Sequence, residues 1–338
     1  MALSSETWEL DLRASRHAHA ADIQTQSDSN EARRRICMSK ISAPRSLQLV
    51  DLPAEQRRTF RQVRSTVIRE SSLDVRLLRA ALRSYRRALT SVVVKSDAEL
   101  HKLMLQVVFY SGMHADAVTQ RMPRIEFHLG DLKTAAAMKA SGITIAMADP
   151  EMLRNERKIR ACVRNAKKIT AMAERHGSLA KWMNSFGSLA DDKNLKHLRR
   201  ALIKEFSFIG ETTVYHVFME LGLNVVKPDR VLQRVFYRMG LTPKPVEKRT
   251  AAERRDYLWE VVLAARVLAD RASVNLRELD ITFMAFGQLK VATLGIAGIC
   301  VEDAPRCDDC QVLQCPSKGK KWWPKTPSGT CRSGDRCR

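Results

Sequence analysis

The chain has 338 residues, and its 58 Lys and Arg against 37 Asp and Glu leave a formal net charge of +21 at pH 7. That length allows one large core or two small ones, and the positive excess predicts a polyanionic partner, duplex nucleic acid being the commonest. No apolar run is long enough to span a bilayer, and the first residues lack the basic-then-apolar order of a secretory signal.

Residues 1–45 are polar and lack apolar periodicity, so they read as a disordered extension; Met38 is a second candidate start. From Leu52 to Thr90 apolar residues recur at helical spacing among many arginines, including Arg57, Arg61, Arg64, Arg69, Arg76, Arg79, Arg83, Arg86 and Arg87, which predicts about two amphipathic helices with a basic face. A solvated face is the plain alternative for any one of these arginines. Helices then follow over Glu99–Tyr110, Asp116–Met122 and Leu132–Ser141. Asp149-Pro150 reads as cap and first helical residue of another. Asn155–Arg175 is long and amphipathic, and Leu195–Glu205 follows it. Alternating β-branched patterns are almost missing, so the architecture is all-α.

At Phe206-Ser-Phe208-Ile209-Gly210-Glu211-Thr212-Thr213 one helix ends, a tight turn centres on Gly210, and an apolar helix runs from Thr212 to Leu221. This is a helix–hairpin–helix pattern. Amides at the start of the second helix face outward and its dipole favours an anion, so Phe208, Gly210, Thr212 and Thr213 are placed to hold a DNA phosphate. An ordinary turn between two helices has the same outline. After Gly222 comes Val225-Val226-Lys227-Pro228-Asp229, then a helix from Arg230 to Met239 closed by Gly240. Taken alone, Asp229 is an N-cap. A Pro-rich link from Thr242 leads to helices over Ala251–Arg271 and Leu276–Gly287.

Four cysteines follow: Cys300, Cys307, Cys310 and Cys315, separated by six, two and four residues. Soft thiolates gathered among turn formers select an iron–sulfur cluster or zinc, and in a reducing cytoplasm clustered thiols bind metal in preference to pairing. A [4Fe–4S] cluster is the first expectation, zinc the alternative and disulfides the third. Cys331 and Cys337 are spare thiols in a basic tail, residues 316–338, that also carries Trp322 and Trp323.

The cysteine order resembles the cluster loop of the endonuclease III and adenine-mismatch glycosylase families, whose usual gaps are six, two and five. Hairpin, helix, short link and aspartate is similarly the order of the helix–hairpin–helix DNA glycosylases. That resemblance implies that Asp229 faces the flipped nucleotide and that Arg306, pinned by the cluster loop, meets the phosphate backbone. The lyase members carry lysine where Thr212 stands, so a monofunctional hydrolase is implied, with Lys204 and Lys227 the nearest lysines. Residues 103–223 resemble DNA-3-methyladenine glycosylase I, most clearly at Leu153-Arg154-Asn155 through Asn165-Ala166 and at the hairpin, where Phe208 takes the place of the first glycine. Val107 falls where that family has a base-contacting glutamate, and Ala115 where it has a stacking tryptophan. The family's zinc ligands have no equivalents. Phe109, Tyr110, His114 and Tyr215 remain to line a base pocket, although each type is more often core.

The expectation is therefore an all-α, two-domain helix–hairpin–helix DNA glycosylase with a C-terminal [4Fe–4S] loop. Residues 46–97 would pack with a C-terminal domain over 224–315, beside a central helical barrel over 98–223. The enzyme would be a cytoplasmic monomer on double-stranded DNA, nucleoid-associated if bacterial, away from membranes, releasing a 3-methyladenine-like base. Two alternatives stay open: excision of hypermodified bases from phage DNA, and a catalytically silent DNA-binding relative.

Overall fold

The computed structural model describes residues 58–87, 96–113, 115–243, 250–291 and 294–318. The expected N-terminal extension, His114, Cys331, Cys337 and most of the basic tail lie outside them. Thirteen helices are seen among the described residues: α1 Thr59–Glu70, α2 Val75–Arg87, α3 Asp97–Tyr110, α4 Ala115–Leu129, α5 Leu132–Ala137, α6 Ala140–Ala148, α7 Glu156–His176, α8 Leu179–Asn184, α9 Asp192–Glu205, α10 Thr213–Glu220, α11 Arg230–Arg238, α12 Ala251–Ala272 and α13 Leu276–Gly287. A two-residue antiparallel pair, β1 Lys290–Val291 with β2 Ile296–Ala297, turns the chain toward the cysteines.

Local chemistry sets many of the ends. Ser96 and Glu99 close a reciprocal capping box on α3, and Thr250 with Glu253 does the same for α12. Asn155 caps α7, which stops at Gly177 with φ +82°. Asp149 is a correction. It ends α6 instead of opening a helix, and the next helix waits until Glu156. Its carboxylate is engaged by Arg124 and, at 2.6 Å, by His128 Nε2, both from α4. The buried side chains of Met152 and Leu153 then draw the chain inward before Asn155 restarts it. The single helix expected over Leu132–Ser141 is likewise two, broken at Met138 and Lys139.

Two helix groups result. In one, α7 packs on α3, α5 and α8, and α10 packs on α3. A smaller core there joins Leu105, Phe109, Ile125, Ile143 and Ile159. In the other, α13 is central and touches α1, α2, α11 and α12. The larger core runs through both groups, from Phe60 and Leu100 to Phe283 and Val312.

Candidate active site

The hairpin joins α9 to α10. Phe208 adopts φ +63°, the left-handed conformation that a glycine would take without strain. Its ring is partly buried against the smaller core, with Lys158 Nζ 5.8 Å from its centroid. Lys158 itself donates to the carbonyls of Val108, Phe109 and Ser111, closing the end of α3; burial lowers its pKa to about 8. Asn165 holds the hairpin by both ends of its amide: Nδ2 donates to the Ser207 carbonyl and Oδ1 accepts from the Ser207 N–H. Gly210 N–H donates to Thr213 Oγ1 at 3.2 Å. Thr212 stands at the N-cap of α10, but its hydroxyl makes no capping hydrogen bond. At the start of α10 the Val214 and Tyr215 N–H groups donate to the Gly210 and Thr212 carbonyls, and the helix dipole favours an anion there.

Asp229 is the N-cap of α11. One oxygen, Oδ1, accepts from the N–H groups of Val231 and Leu232 at 3.0 and 3.1 Å. The other, Oδ2, lies 3.9 Å from Lys227 Nζ, and the side chain is about one-third exposed, 35%. Capping fixes the orientation of the carboxylate while leaving one oxygen short of close partners.

The residues expected to line a base pocket differ in burial. Phe109 is fully buried, and Tyr215 is 1% exposed, stacked among Phe218, Trp259 and the Arg199 guanidinium. Both are core side chains, closed to a base. Burial, first of all, pushes the Tyr215 phenol up to about 12. Tyr110 is half-buried, with its hydroxyl 2.9 Å from Thr119 Oγ1. Val107 is buried as well.

The four cysteines line one small hollow beside Arg238, Phe286 and Val312. They stand around it: among the described residues no three Cys, His, Asp or Glu side chains converge on a single-ion position. Arg238 Nη1 lies 3.6 Å from Cys300 Sγ, and the Val312 N–H donates to Cys310 Sγ at 3.4 Å. Burial, with neighbouring thiols adding to it, raises Cys310 to about 11; burial also raises Cys300 and Cys315. These groups resist ionisation unless a cation compensates them. Arg306 does not meet the expectation of a free phosphate contact. Its guanidinium pairs with Asp309 at 2.7 Å and Glu70 at 2.5 Å, tying the cysteine loop to α1.

Sequence reasoning missed the link between the loop and Asp229. Arg230, Arg234 and Arg238 follow one another at helical spacing along α11. Arg230 pairs with Glu302, Arg234 donates to the Cys300 and Gly287 carbonyls, and Arg238 donates to the Val301 and Glu302 carbonyls. One helix therefore carries the aspartate at its start and clamps the cysteine loop along its length. Arg234 and Arg238 are almost fully buried, and arginines on the buried face of a short helix were the available signal. Asp280 was also missed, an acid inside the apolar run of α13.

Residues 81–227 match the family model of methyladenine glycosylases. No curated protein matches the chain. Among solved structures it is similar to a 3-methyladenine DNA glycosylase I, at 21% identity over 38% of this chain and 79% of that one, with TM-score 0.33. The Staphylococcus aureus 3-methyladenine DNA glycosylase I is similar at 19% identity over 38% and 77%, with TM-score 0.33. A Methanocaldococcus jannaschii 8-oxoguanine glycosylase/lyase, solved with a 15mer DNA containing 8-oxoguanine, is similar at 16% identity over 67% and 94%, with TM-score 0.44. The methyladenine glycosylase match takes in the hairpin and ends at Lys227, two residues before Asp229.

Proposed function

We propose that the enzyme is a monofunctional glycosylase that hydrolyses the bond between deoxyribose and an alkylated purine, methylated adenine first, acting as a monomer on double-stranded DNA in the cytoplasm. The observation that carries the reading is Asp229, capped through Oδ1 with Oδ2 left available. Cleavage of the bond builds positive charge on the sugar, as in glycoside hydrolysis. A fixed carboxylate beside that charge stabilises it and orients the attacking water. The bond is reached only when the nucleotide leaves the stack. The start of α10, whose N-cap Thr212 makes no side-chain capping bond, takes a flanking phosphate and holds the strand against the cost of flipping. Thr212 has no amine with which to form a Schiff base, and Lys158 spends its three donors on carbonyls at the end of α3 and its C-cap.

Cys300, Cys307, Cys310 and Cys315 fit a [4Fe–4S] cluster. A single zinc ion needs its sulfurs drawn in to about 2.3 Å from the metal, whereas these thiols surround a hollow, with a guanidinium and a backbone N–H directed at two of the sulfurs. When bound, the group supplies a covalent brace for residues 300–315. The steps of hydrolysis stay with the protein's own side chains.

The test is release of free base from duplex DNA treated with dimethyl sulfate. Methylated adenine and an intact abasic strand are expected, with no adduct trapped by borohydride. A trapped adduct overturns the monofunctional reading. A second reading, excision of a hypermodified base from foreign DNA, is favoured by Val107 and Ala115, which stand where the resemblance implies a glutamate and a tryptophan. Release from hydroxymethylcytosine-containing phage DNA, with none from methylated DNA, would select it.

A further inference from the structure

Behind the Lys227–Pro228–Asp229 turn lies Asp280, half-buried on α13. The Lys227 main-chain N–H donates to its carboxylate, and Asp229, Lys227 and Arg277 are its charged neighbours. Arg277 is shared with α10: it pairs with Glu220 at 2.7 Å, and Glu220 lies 3.6 Å from His216. Burial holds His216 below the usual histidine value. On the far face of α13, Glu278 pairs with Arg64 of α1 and takes no part. The turn, α10 and α13 thus bring together two cations, Lys227 and Arg277, and three carboxyls, Glu220, Asp229 and Asp280.

We propose that Asp280 is a positioning residue for base excision: its carboxylate holds the Asp229 turn through the Lys227 main chain and supplies the negative charge that keeps Lys227 from neutralising Asp229. With Asp280 ionised, the cluster carries a net negative charge facing a developing cation. With Asp280 protonated, cations and carboxylates cancel. Burial first, then the nearby Asp229 carboxylate, push Asp280 up to about 7 against the pull of Arg277, so the switch falls within the working range. The inference rests on the reading of Asp229 as the carboxylate that faces the sugar.

The fold loses by this arrangement. A carboxyl raised in the folded state contributes stability at low pH and loses it as the pH rises through its folded value. Asp280→Asn keeps the acceptor for Lys227 and removes only the charge. Single-turnover base release from dimethyl-sulfate-treated duplex DNA should be about tenfold slower in this variant near pH 8, with the gap closing near pH 5.5 and DNA Kd within about twofold of wild type. The variant should also unfold at a higher temperature than wild type near pH 8, an arm that needs no substrate. Full excision rate in Asp280→Asn, with Asp229→Asn impaired, overturns the inference and leaves Asp229 in place. Full rate in Asp229→Asn overturns the aspartate reading itself. A variant less stable than wild type near pH 8 makes Asp280 a structural carboxylate and also overturns the inference.

Discussion

Asp149 and the Asp229–Asp280 pair are carboxylates at helix boundaries or within helices, and their neighbours give them opposite characters. Asp149 is buried at the end of α6 and accepts from His128, Arg124 and the Glu151 N–H. The His128 hydrogen bond first, with Glu151 and Arg124 assisting, holds it down to about 2. At the other site Lys227 stands back at 3.9 Å from Asp229, and Asp280 is pushed up to about 7. A carboxylate surrounded by donors has its charge consumed by the fold. Asp229 keeps one oxygen short of close donors for something that arrives later, and Asp280 behind it carries the cost in stability.

The largest effect that would break this contrast is at Asp229. Asn caps a helix about as well as Asp, so Asp229→Asn should leave the melting temperature nearly unchanged. Base release should fall on the order of 10²-fold, less for a base that already carries positive charge, because that leaving group needs less help. Single-turnover assays beside thermal melts test both halves, and a variant that loses stability instead of rate would make Asp229 an ordinary cap.

Next in size is the clamp that holds the Asp229 helix. Arg238 is 3% exposed and donates to two loop carbonyls. Arg238→Gln strands these acceptors and should destabilise the protein by about 3 kcal/mol, measured by denaturant unfolding. The Asp149 region should be untouched, so hydrogen exchange in α4 and α6 should change only through global unfolding, while residues 300–302 should open locally.

Asp149→Asn should mirror Asp229→Asn: a melting temperature lower by several degrees at pH 7, with the excision rate of the folded protein unchanged. The sign follows from its depressed pKa. Its stabilisation is present above the ordinary carboxylate range and disappears as the pH falls toward 2, so the melts of variant and wild type should converge in acid. A constant difference at every pH would mean that shape, and not charge, makes Asp149 useful.

Much of the frame was legible because it depends on local chemistry. Leu276–Gly287 is the helix that its apolar spacing predicts, and the amphipathic helix expected over Asn155–Arg175 is α7, Glu156–His176. What failed depends on distant partners. Asp149-Pro150 has the form of a helix start, yet Arg124 and His128, more than twenty residues earlier, claimed the carboxylate. Phe109 and Tyr215 have the right residue type for a base pocket, but aromatic spacing on a helix is the same for core and pocket. Arg306 looked available to phosphate, whereas Glu70 reaches it across 236 residues of sequence. Asp280 gave only the faint signal of an acid in an apolar helix; its meaning appears once Lys227 and Asp229 are folded against it.

The smallest effect concerns the hairpin, which like Asp280 retains a locally unfavourable state. Phe208 sits at φ +63°, where a side chain meets its own backbone at a cost of about 1–2 kcal/mol. Packing of its ring against the smaller core offsets that strain. Phe208→Ala removes the ring and keeps the strain, whereas Phe208→Gly removes both. Both variants should be less stable than wild type, and the glycine variant should exceed the alanine variant by about 1 kcal/mol. In an unstrained segment the order is the reverse, because glycine gives the unfolded chain more freedom. Urea unfolding of the two variants decides it: alanine at or above glycine would mean that the Phe208 backbone relaxes out of the left-handed region, and that the hairpin does not need the strained turn to present the start of α10.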